Sequence, residues 1–450
     1  MSAPTSTPTP QVLESTELLE SFALSRRDHT LWMEEASLVA IAQAHGTPTY
    51  AYSRAALTAN FHALNNAIGD ARKAANIKAS HLICYAVKAN SNLAILNVFA
   101  RLGAGFDLVS GGELARVLAA GGDASKVVFS GVGKTEAEMH AALSAGIKCF
   151  NVESIPELSR LNRVAGALGV KAPISLRVNP NVDAKTHPYI STGLADNKFG
   201  IAHDQALATY QRAADMAHLE IHGIDCHIGS QLLDLAPLVE GMERLIELVD
   251  ALNTAGITLS HVCPGGGIGI AYQGEGAPDL TGYARALAQA QGDRPLELLL
   301  EPGRSMVGNA GVLITKVEHV KTSSSKSFVI VDAAMNDLIR PALYSAHHEV
   351  LRMDDSVAHP SVVCDVVGPI CESSDFLAQG RNIACAEGDL LVLASTGAYA
   401  MTMASNYNTR PRGAEIMVDG AATHVIRPRE NIAALFASER CLPADTPVDK

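Results

Sequence analysis

The chain has 450 residues, of which 48% are hydrophobic and 18% charged, enough apolar side chain for a large core and too much for global disorder. Its 47 acidic residues against 35 basic ones leave a formal net charge of −12, which argues against nucleic acid or an anionic membrane as a partner. No apolar run approaches the roughly 18 residues of a membrane helix.

The first residues, MSAPTSTPTPQ, lack the basic and apolar regions of a signal peptide, so residues 1–11 read as a disordered tail. Eight cysteines occur without a C-x-x-C pair. With no secretory signal they are expected as reduced thiols in the cytoplasm, seven of them serving as small buried hydrophobes. Cys371 is set apart by its surroundings, described below.

From about residue 80 to 165 a short apolar run followed by a helical pattern recurs every 21–22 residues. The runs are HLICYAVK, GFDLVS, KVVFSG and KCFNVES, and three of the helices that follow open with Ser110-x-x-Glu113, Thr135-x-x-Glu138 and Ser154-x-x-Glu157. Each is expected to be a reciprocal capping box. Glycines at 103, 121 and 146 mark helix ends. Longer repeats continue through ISLRVNP, HGIDCHIG, LSHVCPGGG and LELLLEPG, with helical segments near 204–216, 236–254 and 280–291. Eight strands with intervening helices predict a closed (β/α)8 TIM barrel over residues 58–310. Residues 311–450 carry short alternating β-like runs and read as a second, mostly β domain. Residues 12–57, with an extended Thr47-Pro48-Thr49-Tyr50, are expected to join it.

Catalytic groups of such barrels sit at the C-terminal ends of the strands. Those ends carry Lys88, Asp107, Ser130, Glu153, Arg177, His227, the run Gly265-Gly266-Gly267 and Glu301. A lysine at a closed barrel mouth is desolvated and suited to forming a Schiff base. Glycine amides after the seventh strand suit a phosphate, and a strand-end carboxylate suits a ring nitrogen. Together these three features fit pyridoxal 5'-phosphate. Two nucleotide motifs fail: the glycine run has Ile270 and Tyr272 where a dinucleotide fingerprint needs glycine, and Gly133-Lys134-Thr135 has Val128 where a P-loop needs one.

The motifs YAVKANSN, HIGSQ, PGGGIGI, EPGRS, DAAMNDLIRPALY, GPICESSD and GAYAMTMASNYN, in this order, resemble the diaminopimelate decarboxylase family. These are pyridoxal-phosphate enzymes with an alanine-racemase-like barrel, and the resemblance spans about residues 30–430. It implies decarboxylation of meso-2,6-diaminopimelate to L-lysine and CO2, the last step of lysine biosynthesis. Carried over by motif, Lys88 is the Schiff-base lysine and His227 stacks on the cofactor. Ser230, Gly265, Gly266, Gly267, Gly303, Arg304 and Tyr399 bind the cofactor, with Glu301 at the ring nitrogen. Arg304, Arg340, Tyr344, Glu372 and Tyr399 hold the substrate, and Cys371 donates a proton. Ala334 departs from the family's usual glycine, and the doubled His347-His348 leaves open which of the two fills the family position.

The residues themselves agree with that assignment. A substrate with two carboxylates and two ammonium groups needs a cation and an anion at its non-reacting end, and arginine pairs with carboxylate bidentately. The resemblance also implies a homodimer with shared active sites. A single chain would have to fold its β domain over its own barrel mouth, whereas the connection after Gly303 is expected to lead away from it. No metal is expected. The alternatives are a decarboxylase of another basic amino acid (D-lysine, D-ornithine, L-ornithine or L-arginine) and a non-catalytic, cofactor-binding regulatory protein.

Overall fold

The computed structural model describes residues 15–182, 198–324 and 326–443. The expected tail at residues 1–11 lies outside the described residues. The eight barrel strands are His81–Ala86, Gly105–Leu108, Val127–Phe129, Cys149–Val152, Ala172–Asn179, Leu219–Asp225, His261–Cys263 and Glu297–Leu300. All pair in parallel, and the eighth closes on the first through Leu298–His81, Leu299–Leu82 and Leu300–Ile83. The barrel predicted from the βα repeat is present.

Its interior is filled by small side chains. Cys84, Val128, Cys149, Cys263 and Leu299 form one buried cluster inside the strands, where thiols act as hydrophobes of modest volume. Six cysteines are buried in all, and none is paired. Cys441 is exposed, against the expectation of burial, because it follows the last short helix, Ile432–Leu435, whose neighbourhood also leaves Phe436 and Leu442 in solvent.

The capping boxes need correction. Only Thr135 and Glu138 satisfy each other reciprocally. Ser110 and Ser154 do accept from the amides of Glu113 and Glu157. Their carboxylates, however, reach one residue further back, to the amides of Val109 at 2.7 Å and Glu153 at 3.0 Å. Those amides lie at the barrel rim, so the two glutamates tie rim to helix rather than closing a local box.

In the second domain, strand Gly311–Thr322 pairs with Thr49–Ser53, Ser327–Val331 and Leu390–Leu393. Thr49–Ser53 also pairs in parallel with Ala414–Asp419, so this N-terminal strand lies inside the C-terminal sheet. A second core forms between that sheet (Ala51, Val312, Ile314, Ile416) and the N-terminal residues Leu31, Met33, Leu38 and Ile41. Among the described residues, no helix is long and apolar enough to cross a membrane.

Candidate active site

The C-terminal ends of the barrel strands open into a cavity of about 740 Å³, within the range of small-molecule sites. Lys88, Ser130, Arg177, His227, Ser230, Gly267, Glu301, Gly303 and Arg304 line it from the barrel side. Arg340, Tyr344 and Tyr399 line it from the β domain of the same chain. That corrects the expected path of the chain: after the short helix Arg304–Val307 it turns back, and the β domain covers its own barrel mouth. The contact is made by backbone. The Tyr399 amide donates to the Ala89 carbonyl at 2.8 Å, just past the first strand.

Lys88 sits in a single turn after the first strand, and its Nζ lies 3.5 Å from Asp107 Oδ2. Burial lowers its affinity for the proton, but Asp107, Tyr399 and Glu301 outweigh it, and its pKa stands above the ordinary lysine value. The sequence reading expected desolvation to dominate. The free amine is instead held as an ammonium beside a buried carboxylate.

Glu301 ends the eighth strand and accepts from Asn151 Nδ2 at 3.1 Å. Burial, reinforced by Asp225 and Asp107, raises its pKa well above that of an exposed glutamate. Asp225 is buried beside Cys263 and Arg177, and burial pushes its pKa up to about 7. Arg177 is the compensating cation, bonded at 3.0 Å to Glu153, which also accepts from the Gly131 amide at 2.8 Å.

His227 follows the sixth strand. Its Nδ1 accepts from the Gly266 amide at 3.3 Å, which leaves the proton on Nε2 and a neutral ring. Burial, with Lys88 and Arg177 nearby, pushes its pKa well below the ordinary imidazole value. The glycine run proves to be a packing requirement as well as a loop. A Cβ at Gly265 would meet Cys226 O at 2.2 Å, and one at Gly266 would meet Glu301 O at 2.0 Å. Of the three glycines, Gly267 lines the cavity.

Two loops carrying polar groups are stitched together. Gln231 donates to Ile270 O at 2.6 Å and accepts from Ile270 N at 3.2 Å. This fixes Ser230 beside Tyr272, a residue the sequence reading passed over. The Tyr272 hydroxyl accepts from Arg304 Nη1 at 2.7 Å, and Arg304 Nη2 donates to Ser230 Oγ at 3.2 Å. The Arg340 guanidinium lies 5.1 Å from the Tyr272 ring centre. Burial would raise the Tyr272 phenol, but Arg304 and Arg340 outweigh it and hold its pKa below the ordinary value.

Both guanidiniums are buried, each 6% exposed, and among the described residues neither has a carboxylate partner. Arg304 Nε is buried without any hydrogen bond. Two buried cations without counter-ions are costly, and an anionic ligand is the natural compensation.

Cys371 and Glu372 are not in this cavity. They stand exposed on the loop after strand Val362–Val367. Asp375 clamps that loop, accepting from Ile370 N and Met335 N at 2.7 Å each. Glu372 accepts from the Tyr407 hydroxyl, and the Cys371 amide donates to Asn408 Oδ1 at 3.5 Å.

A parallel barrel with an amine, a protected carboxyl and unpaired guanidiniums at its mouth is the architecture of a pyridoxal-phosphate enzyme. The family model for the pyridoxal-binding domain of pyridoxal-dependent decarboxylases matches residues 62–308. Ser230 and Gly267 at the cavity wall fit the phosphate of the anionic cofactor, and Lys88 and Glu301 fit its aldehyde and ring nitrogen. The chain is 57% identical to the diaminopimelate decarboxylase of Vibrio cholerae over 93% of its own length and 98% of that protein's. Its fold matches the crystal structure of the diaminopimelate decarboxylase of M. jannaschii in co-complex with L-lysine, with a TM-score of 0.88 at 36% identity, covering 93% of this chain and 98% of that one. The corresponding Helicobacter pylori enzyme complexed with L-lysine gives a TM-score of 0.83 at 43% identity, covering 89% and 99%. The chain belongs to the diaminopimelate decarboxylase family.

Proposed function

We propose that this protein decarboxylates meso-2,6-diaminopimelate to L-lysine and CO2 with pyridoxal 5'-phosphate. The observation that carries the reading is the pair of buried guanidiniums, Arg304 and Arg340, facing the cavity without a carboxylate. A mono-carboxylate amino acid loses its only carboxylate in the reaction and leaves such a pair nothing to hold. A substrate with a second, distal carboxylate fills it throughout. The L-lysine bound in two of the similar structures accords with release of that product.

When bound, the cofactor supplies an electron sink for the pair left behind as CO2 departs. The residues then divide the remaining work. Lys88 would hold the cofactor's aldehyde, and Asp107 Oδ2 lies 3.5 Å from its amine. Glu301, whose proton affinity is raised by burial, would share a proton with the ring nitrogen. His227, neutral and fixed by Gly266, would pack against the ring. Ser230, Gly267, Gly303 and Tyr399 would hold the phosphate. Arg304, Arg340 and Tyr344 clamp the distal carboxylate. The proton that replaces CO2 on the same carbon comes from the Cys371 thiol.

Cys371 and Glu372 are exposed on their own chain, and Glu372 has the charge to receive the distal ammonium. We infer a homodimer in which each chain's Cys371–Glu372 loop completes its partner's cavity. Free thiols at all eight cysteines support a reducing, cytoplasmic setting.

The reaction is tested by loading the protein with pyridoxal phosphate, adding meso-diaminopimelate and measuring L-lysine. No lysine from a fully loaded protein overturns the proposal. The shared site is tested by mixing Lys88→Ala with Cys371→Ala chains. Random pairing restores about a quarter of wild-type activity if the two residues meet across the dimer. No recovery after demonstrated subunit exchange places them within one chain.

A further inference from the structure

We propose that His348 is the positioning residue of the distal-carboxylate site, acting through Arg340. The inference rests on the proposed role of Arg340. His348 is fully buried, and both ring nitrogens are engaged. Nδ1 lies 2.9 Å from the Ala394 carbonyl, which can only accept, so Nδ1 carries the hydrogen. Nε2 lies 2.9 Å from Arg340 Nη1, and a guanidinium can only donate. One state satisfies both contacts, the neutral imidazole with its proton on Nδ1. Ala394 therefore sets the tautomer, and the tautomer presents a lone pair to Arg340.

The packing leaves Arg340 little freedom. Its guanidinium lies against the Tyr272 ring on one side. The Tyr272 and His348 rings meet edge to face, with centres 5.5 Å apart and planes at 86°. Arg340 itself opens a five-residue helix, Arg340–Tyr344, so its backbone is fixed by the same segment that delivers Tyr344 to the cavity.

The choice of histidine has a chemical consequence. Buried arginines are usually oriented by carboxylates. A carboxylate at this place would orient Arg340 equally well and neutralise it, competing with the substrate's own carboxylate. A neutral acceptor fixes direction while leaving the whole positive charge for the ligand. His347, the neighbour in sequence, does something different: it bridges Glu349 at 3.0 Å and Arg381 at 2.6 Å. His347 lines the cavity itself, whereas His348 stands behind Arg340 and acts through it.

The test compares wild type with His348→Leu, His348→Gln, His348→Glu and Arg340→Met as loaded enzymes. It reads KM and kcat for meso-diaminopimelate and the inhibition constant of D-lysine, which lacks the distal carboxylate. His348→Leu should raise KM about tenfold or more with kcat within about threefold, while D-lysine inhibition stays unchanged. His348→Gln should recover most of the loss, since its amide oxygen offers a neutral acceptor. His348→Glu should keep KM high because its charge occupies Arg340.

An unchanged KM in His348→Leu, or a parallel shift in KM and D-lysine inhibition, overturns the proposal. If His348→Leu fails to fold, equal KM values for the Gln and Glu variants do the same. Arg340→Met separates the two levels. If it shifts both ligands alike, the distal-carboxylate reading itself fails. If it is selective and His348→Leu is not, only the role of His348 falls.

Discussion

Replacing Arg340 with methionine should weaken substrate binding while leaving the stability of the free protein nearly unchanged. In the substrate complex Arg340 forms a desolvated charge pair with the distal carboxylate. Truncating one partner of such a pair costs about 2–5 kcal/mol. At about 1.4 kcal/mol per factor of ten, KM for meso-diaminopimelate should rise at least roughly 30-fold. D-lysine has no distal carboxylate to strand, so its inhibition constant should move by less than about threefold. The free protein behaves differently. There Arg340 is a buried cation beside another, and burial, with Arg304 nearby, lowers its pKa from the ordinary arginine value. Methionine removes that repulsion but leaves His348 Nε2 without a donor, a loss of about 1–3 kcal/mol in the other direction. The two nearly cancel, and the thermal midpoint of the cofactor-free protein should not fall appreciably. Steady-state kinetics with both ligands and a thermal melt decide the matter. Equal shifts for both ligands, or a large drop in midpoint with no change in KM, would refute the reasoning.

Lys88→Ala should abolish turnover and the near-visible absorbance of bound cofactor; an unchanged spectrum refutes Lys88 as its anchor. Asp225, held up at about 7 by burial, contributes fully to stability below about pH 4 and loses that contribution as the pH rises through 7. Asp225→Asn should therefore match wild type in thermal midpoint near pH 4 and exceed it at pH 8 in the cofactor-free protein; a pH-independent difference contradicts this. Lys134 is fully buried and bonded at 2.7 Å to Glu157, so Glu157→Leu should destabilise by about 3–5 kcal/mol. The double variant Lys134→Met/Glu157→Leu should recover most of that loss, and a denaturant titration showing additive losses would contradict the pairing.

The barrel was legible because a βα unit repeats its whole pattern: an apolar run, a polar strand end, a capping residue and a glycine stop. The same regularity put Lys88, His227 and Glu301 on one rim before any coordinates. What escaped were contacts that bind distant segments. Tyr272 lies only a few residues beyond the glycine run, yet its role depends on Arg304 and Arg340, which arrive from later in the chain. His348 could not be told from His347, because the choice rests on the Ala394 carbonyl, far along the sequence. Ser110 and Ser154 matched a capping motif whose glutamates found better donors at the rim. The return of the β domain over its own barrel was misjudged for a similar reason. A turn built on Arg304–Val307 and sealed by Tyr399 against Ala89 leaves no local signature.

The most direct measurement is CO2 release from the loaded enzyme across meso-diaminopimelate, D-lysine, D-ornithine, L-ornithine and L-arginine. Two unpaired buried guanidiniums require a carboxylate that survives the reaction. Release should therefore be fastest, by kcat/KM, from meso-diaminopimelate, with the four mono-carboxylates at least about a hundredfold slower. Comparable or faster release from any of those four would contradict the assignment of Arg304 and Arg340 to a distal carboxylate.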